Sequence, residues 1–186
     1  SDVSAQKIIA QRPFGNSGVD VSILSLGGAL NFMSNQLLLR QAFKMGVTCW
    51  DSSRNYIAGK SEKGIGKYFS KFPDDRKKIF LITKSGASEP DDLTQHIYKS
   101  LERMKTDYID LFLIQAVSNV KKEMKKEIQT WAEKVKTTGK IRFFGFSTHK
   151  NMQNCLSDAA GLGWIDGIMA TYNYRLMPTD GMKKAV

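Results

Sequence analysis

The chain has 186 residues, of which 41% are hydrophobic, 10% aromatic and 25% charged. This composition supports a packed core and excludes a disordered, collagen-like or coiled-coil chain, and the length indicates a single domain over residues 1–186. The formal net charge of +10 raises the question of nucleic acid, but the lysines are spread over predicted helices and no nucleic-acid-binding motif accompanies them. We therefore expect no nucleic-acid partner.

The apolar runs of the sequence are short. The longest, such as Ile109 to Ile114, which Asp110 interrupts, fall far below the roughly 20 residues of a membrane helix, so no membrane partner is expected. No basic and apolar leader precedes Lys7, which makes the cytoplasm the default expectation and a removed export signal the alternative. Cys49 and Cys155 lack C-x-x-C spacing, which indicates buried thiols and no metal site.

Strand-like and helix-like segments alternate along the chain after a short N-terminal piece. In that piece, the turn from Gly15 to Gly18 predicts a β-hairpin. Runs of apolar, β-branched and aromatic residues then recur at a spacing typical of strand–helix units. The predicted strands are Val21–Leu26, Val47–Trp50, Ile79–Thr83, Tyr108–Ile114, Ile141–Phe146 and Ile168–Tyr172.

Three amphipathic helices are predicted between these strands. The first two begin near Ser34 and Ser88, and Gly139 ends the third. His96 lies in the second helix, far from a strand end in sequence, and we expect it at the surface. The apolar faces are Leu38, Leu39, Ala42 and Phe43 in the first helix, Leu93, Ile97 and Leu101 in the second, and Met124, Ile128, Trp131 and Val135 in the third.

Strands that alternate with helices form a parallel sheet covered by helices, either doubly wound or closed into a barrel. After the first strand, Gly27-Gly28-Ala29 does not continue as G-x-G-x-x-G, which argues against a doubly wound dinucleotide-binding fold. Polar residues instead follow several successive strands, as in a TIM barrel. These residues are Asp51, Lys84, Gln115 and Ser147.

The sequence therefore predicts an α/β fold of the TIM (β/α) barrel type with an N-terminal hairpin. Such a barrel needs about 250 residues for its eight units, and the predicted segments supply about six of the eight units. We expect a longer parent protein, with strands seven and eight absent from these residues. A short barrel, or one completed by a partner, is the alternative.

Four segments carry a family resemblance. Asp51 to Tyr56 (DSSRNY), followed by Gly59 to Glu62 (GKSE), resembles the signature after strand two of the aldo-keto reductases. Leu81 to Gly86, residues 100–111 and residues 139–147 resemble the family's lysine strand, second signature and fifth-strand region. Because the four segments occur in order at consistent spacing, the sequence is identified as a C-terminally incomplete member of the aldo-keto reductase family.

The resemblance implies an oxidoreductase that reduces an aldehyde or ketone, its small-molecule partner, with NADPH. Tyr56 would be the general acid, because negative charge grows on the carbonyl oxygen during hydride transfer. Lys84 would lower the pKa of Tyr56, and Asp51 would pair with Lys84. Gln115 would contact the carbonyl, at a position where the family usually has histidine.

The resemblance also implies a set of cofactor-binding residues. Thr148 stands where many relatives have asparagine, and Met169 stands where many have glutamine. In the family, loops after strands seven and eight grip the adenosine phosphate, so we expect residues 1–186 alone to bind NADPH weakly or not at all. A non-catalytic barrel relative that binds a ligand or partner is the alternative function. The implied cofactor-binding residues are Gly28, Ala29, Asp51, Ser147, Thr148 and Met169.

Overall fold

A computed structural model describes residues 8–175 and 179–186. The chain divides into two compact units. The first comprises Ser1–Thr83 and Lys99–Asp107, and the second comprises Lys84–Tyr98 and Tyr108–Val186. The expectation of a single domain stays a prediction, and we describe each unit by itself.

The first unit begins with the predicted hairpin, which is confirmed. Strands β1 (Gln11–Pro13) and β2 (Asp20–Ser22) pair antiparallel. Gly15 and Gly18 in the turn have φ angles of 53° and 73°, which glycine adopts at little cost. The other elements of the unit are β3 (Ser25–Gly27), α1 (Gln36–Lys44), β4 (Cys49–Asp51), a 3-10 turn (Tyr56–Gly59), α2 (Lys60–Lys71), a second 3-10 turn (Pro73–Lys78) and most of β5 (Phe80–Ser85).

Strands β3, β4 and β5 are parallel neighbours in chain order. The prediction of one strand from Val21 to Leu26 is wrong, because the chain bends between β2 and β3. The Ser22 hydroxyl donates to the Leu24 carbonyl at 2.7 Å and accepts from the backbone N–H groups of Thr48 and Cys49 at 3.0 and 2.9 Å. At the bend, hydrogen bonds with the Ser22 side chain therefore replace the backbone hydrogen bonds of strand pairing.

The second unit contains the end of β5 and the later strands. Of these, β6, β7 and β8 are successive parallel neighbours in chain order. This order of parallel strands joined by helices is that of a (β/α) barrel. The elements after β5 are α3 (Pro90–Met104, which contributes to both units), β6 (Ile109–Ile114), α4 (Val120–Glu123), α5 (Lys126–Thr137), β7 (Ile141–Thr148), α6 (Met152–Ala160), β8 (Gly167–Ala170) and α7 (Asp180–Ala185).

The helices mostly follow their predicted faces. In α3, Leu93, Ile97 and Leu101 are buried. The third predicted helix is interrupted, because Met124 and Lys125 have ψ angles of 58° and 171° between α4 and α5. Met124 is nevertheless buried, so its apolar side chain packs in the core although the residue lies between the two helices.

The first predicted helix differs from the prediction at its start. Asn35 takes the N-cap position of α1 in place of Ser34. Leu38 belongs to the predicted apolar face but is 40% exposed, whereas Leu39 and Ala42 are buried. Among residues 8–175 and 179–186, no helix is long and apolar enough to cross a membrane.

Candidate active site

The structure places the predicted site residues at or next to the carboxyl ends of parallel strands. In the first unit, Gly28 and Ala29 follow β3, Asp51 ends β4 and Tyr56 lies in the turn after it. The second unit carries Lys84 near the end of β5, Gln115 directly after β6, Ser147 and Thr148 at the end of β7, and Met169 within β8.

Gly28 and Asp51 are in close contact in the first unit. A β-carbon at residue 28 would collide with the backbone carbonyl of Asp51 and lie 3.0 Å from the Ser61 hydroxyl. Ser61 in turn shares a 2.7 Å hydrogen bond with Ser52, and both serines are fully buried. Only glycine therefore fits beside the end of β4, and buried hydroxyls fix the start of the loop after it.

Tyr56 is half-buried in that loop. The pKa of its phenol is raised above the usual value of about 10, first by burial and then by the nearby Asp51 carboxylate. This direction is opposite to the lowering that the sequence leads us to expect from Lys84. Within the first unit, the surroundings therefore favour the neutral phenol over the phenolate.

A buried network joins the Tyr56 loop to α2, α3 and β5. Glu62 accepts hydrogen bonds from Thr83 Oγ1 at 2.7 Å and from Arg103 Nη1 at 3.2 Å. Arg103 Nη1 also donates to the carbonyl of Arg54 at 3.0 Å. We call these four residues the Glu62 network. Glu62 and Arg103 fall in motifs that carry the family resemblance, but nothing in the sequence signals their contact 41 positions apart.

Lys84 belongs to the second unit and is only 2% exposed. Lysine is almost never buried to this extent unless its charge is paired. A solvated surface lysine is therefore excluded. That Lys84 lies within ion-pair range of Asp51 stays a prediction.

His96 is not a surface residue, and the prediction that placed it there is wrong. It is half-buried, and its Nδ1 lies 2.6 Å from the Ser85 hydroxyl. Ser85 follows Lys84 in β5, so helix α3 brings His96 back to the end of that strand. The sequence gives no signal of this contact, because it depends on how α3 folds back against β5.

In the second unit, the backbone that follows β6 is hydrogen-bonded to the ends of β5 and β7. The backbone N–H of Gln115 donates to the Ser85 carbonyl at 2.8 Å. The Ser147 hydroxyl accepts from the backbone N–H of Ala116 at 3.1 Å, and its carbonyl accepts from Val117 at 2.8 Å. These bonds fix the backbone on which Gln115 lies.

The Ser147 and Thr148 hydroxyls at the end of β7 use only part of their hydrogen-bonding capacity within the protein. Thr148 is fully buried, and its hydroxyl donates to the Lys150 carbonyl at 3.0 Å. Ser147, which accepts one hydrogen bond, keeps its own hydroxyl hydrogen to donate. Met169 lies opposite Ser147 in the parallel register and is half-buried.

Cysteine and acidic side chains are among the groups that can bind a metal ion. Cys49 and Cys155 are buried thiols outside any disulfide, as their spacing predicts. In the described part of the chain, no group of three or more His, Cys, Asp and Glu side chains could hold a metal ion.

Comparison with known proteins identifies the family of this chain. The model of the aldo/keto reductase family matches residues 22–179. The chain therefore belongs to the aldo/keto reductase family, whose characterised members are oxidoreductases, as the resemblance implies.

Individual relatives support the same assignment. The aldo-keto reductase yakc [NADP(+)] of Schizosaccharomyces pombe is 30% identical over 183 residues, which are 89% of this chain and 52% of that protein. The uncharacterized oxidoreductase YqkF of Bacillus subtilis is 29% identical over 153 residues, which are 74% of this chain and 48% of that protein. The chain thus spans about half the length of these curated relatives.

A solved structure shows the same fold. The aldo-keto reductase of Bacillus halodurans in its holo form superposes with a TM-score of 0.75 at 23% identity, over 88% of this chain and 58% of that one. At this identity the likeness concerns the fold. It confirms the predicted barrel class.

Proposed function

We propose that the protein reduces an aldehyde or ketone with NADPH and that Tyr56 is its general acid. The observation that carries this proposal is the position of Tyr56. It lies in the turn after β4, near the Asp51 carboxylate, and its phenol is half-buried. A general acid must carry its proton before the reaction begins and release it in the transition state. The raised pKa of Tyr56 meets the first requirement, and a cation that stabilises the phenolate must meet the second.

The other side chains have roles that follow from their charge. As Tyr56 gives its proton to the carbonyl oxygen, a phenolate develops, and the Lys84 ammonium would stabilise that charge. Asp51 would orient Lys84 and balance its charge. Gln115 can donate an amide hydrogen to the carbonyl oxygen, but it cannot titrate as a histidine would.

The end of β7 offers one hydrogen-bond donor and one acceptor, which match the oxygen and the amide group of the nicotinamide carboxamide. Ser147 has a hydroxyl hydrogen to donate, and Thr148, whose hydrogen is used, has lone pairs to accept. Gly28, Ala29, Asp51 and Met169 would complete the contacts. When bound, the cofactor would supply the hydride. Its affinity for residues 1–186 alone should be weaker than micromolar, that is, less favourable than about −8 kcal/mol.

Two measurements on the natural full-length protein test this proposal. Fluorescence titration with NADPH measures binding, and the loss of NADPH absorbance in the presence of simple aldehydes and ketones measures turnover. We expect both binding and turnover. Binding without turnover on any carbonyl would contradict the proposal and favour the non-catalytic ligand-binding relative.

A further inference from the structure

The loop that carries Tyr56 contains unusual backbone. Ile57 and Ala58 follow Tyr56 directly, and each has a φ angle of 51°. This left-handed region is unfavourable for residues with a side chain, above all for a β-branched one such as isoleucine. Backbone of this kind persists only where the surrounding structure fixes it. The surroundings of residues 54–59 should therefore contain the groups that hold Tyr56 in place.

Arg103 contacts this loop on both sides of Tyr56. On one side its guanidinium donates to the carbonyl of Arg54. On the other side it packs on Gly59, where an added β-carbon would lie 3.0 Å from the guanidinium carbon. One side chain from α3 therefore spans the segment that contains Tyr56 and the two left-handed residues.

Glu62 fixes Arg103 in this position. Its carboxylate is completely buried, and its two oxygens accept from different partners, Arg103 and Thr83. A buried carboxylate is costly unless it is both paired and hydrogen-bonded, so these contacts are strongly coupled. Thr83 is also the residue that precedes Lys84, so one carboxylate connects the Tyr56 loop with the strand that continues into Lys84.

We propose that Arg103, held by Glu62, is a positioning residue for Tyr56, setting the place of the phenol without touching the substrate. This inference rests on the proposed function, since it assigns Tyr56 the role of acid. Pairing with Glu62 alone would need only a positive charge. Both hydrogen bonds come from one atom, Nη1. Because a lysine ammonium ends one bond earlier in the side chain, we expect it to stay with the Glu62 carboxylate and lose the Arg54 carbonyl.

The substitution Arg103→Lys separates these two roles. It keeps a cation beside buried Glu62, so the fold should survive, but it should not reach both acceptors. Lys99→Met is the matched control, because it removes an ion pair with Glu102 from the same helix at the surface. Glu62→Gln is a second variant, which keeps the volume and an acceptor for Thr83.

In the natural full-length protein, we expect Arg103→Lys to lower kcat by about 10- to 100-fold, since misplacement of a reacting group by about 1 Å can cost that much. The KM for NADPH and the melting temperature should change little. Glu62→Gln should lower kcat in the same direction, and Lys99→Met should leave it unchanged. An Arg103→Lys protein with wild-type kcat would overturn the proposal, as would a parallel loss in the Lys99→Met control.

Hydrogen exchange of residues 52–60 supplies a readout that does not depend on activity. The Tyr56 and Ala58 amides are bonded to the carbonyls of Ser53 and Asn55 at 3.0 and 3.2 Å. They should exchange faster in Arg103→Lys while the rest of the protein stays protected. If the natural protein reduced no carbonyl, the proposed function would fail by itself. Unchanged exchange in this variant would overturn the positioning role whatever the activity.

Discussion

The backbone carbonyl of Asp51 occupies the space that a β-carbon of residue 28 would need. This contact joins the ends of β3 and β4, where two residues of the proposed site lie. Gly28→Ala should therefore displace Asp51 and lower the free energy of unfolding by about 1–3 kcal/mol, the usual cost of overpacking.

The adjacent Gly27 offers a matched control, because a β-carbon there would have no atom within 4 Å. Gly27→Ala should change the free energy of unfolding by less than about 0.5 kcal/mol. Urea denaturation of both variants measures the difference. Equal effects at the two positions would show that the close approach to Asp51 has no energetic importance.

Tyr68 predicts how stability depends on alkaline pH. The pKa of this buried tyrosine is raised to about 12, first by burial and then by its hydrogen bond to Asp75, whose carboxylate it donates to at 2.7 Å. Because the folded state holds this proton more tightly than the unfolded state does, the stabilisation is complete below a pH of about 10. It is lost as the pH rises toward about 12.

Tyr68→Phe should remove that part of the pH dependence. Between a pH of about 10 and a pH of about 12, the free energy of unfolding should fall less in the variant than in the wild type, by up to about 2 kcal/mol. The variant should also be less stable at neutral pH, because Asp75 loses a donor. An alkaline slope identical to that of the wild type would contradict the raised pKa.

The left-handed backbone at Ala58 predicts a stabilising substitution. Because glycine adopts a positive φ at little cost, Ala58→Gly should raise the free energy of unfolding by about 1 kcal/mol. Ala160, which ends helix α6 and lacks a positive φ, is the control. Ala160→Gly should lower it by up to about 1 kcal/mol. Thermal unfolding that shifts in the same direction for both would rule out strain at Ala58.

Much of the fold and of the site follows from local sequence, and the missed features depend on side chains distant in sequence. The turn at Gly15 and Gly18 is predictable because its backbone favours glycine. The place of Tyr56 in the turn after β4 is predictable because the motif that contains it follows an apolar strand. The bend at Ser22 depends on hydrogen bonds to residues 48 and 49, which no local pattern encodes. The same is true of His96 beside Ser85.

Gln115 predicts the shape of the pH–rate profile. Glutamine does not titrate, so the rate should fall with rising pH only through the coupled titration of Tyr56 and Lys84, without an inflection near neutrality. Gln115→His should introduce an inflection near the free imidazole pKa of about 6.5, or change which carbonyls are reduced. Steady-state rates across pH measure both. A near-neutral inflection already present in the wild type would assign that titration to another group.

The most direct test of the central claim is the turnover of Tyr56→Phe in the natural full-length protein. Tyr98→Phe is the matched control, because it removes the same hydroxyl from an exposed side chain on α3. We predict that Tyr56→Phe lowers kcat for carbonyl reduction by about 10²- to 10⁴-fold, the usual contribution of a general acid, with NADPH binding retained and Tyr98→Phe fully active. Undiminished turnover in Tyr56→Phe would contradict the assignment of Tyr56 as the acid.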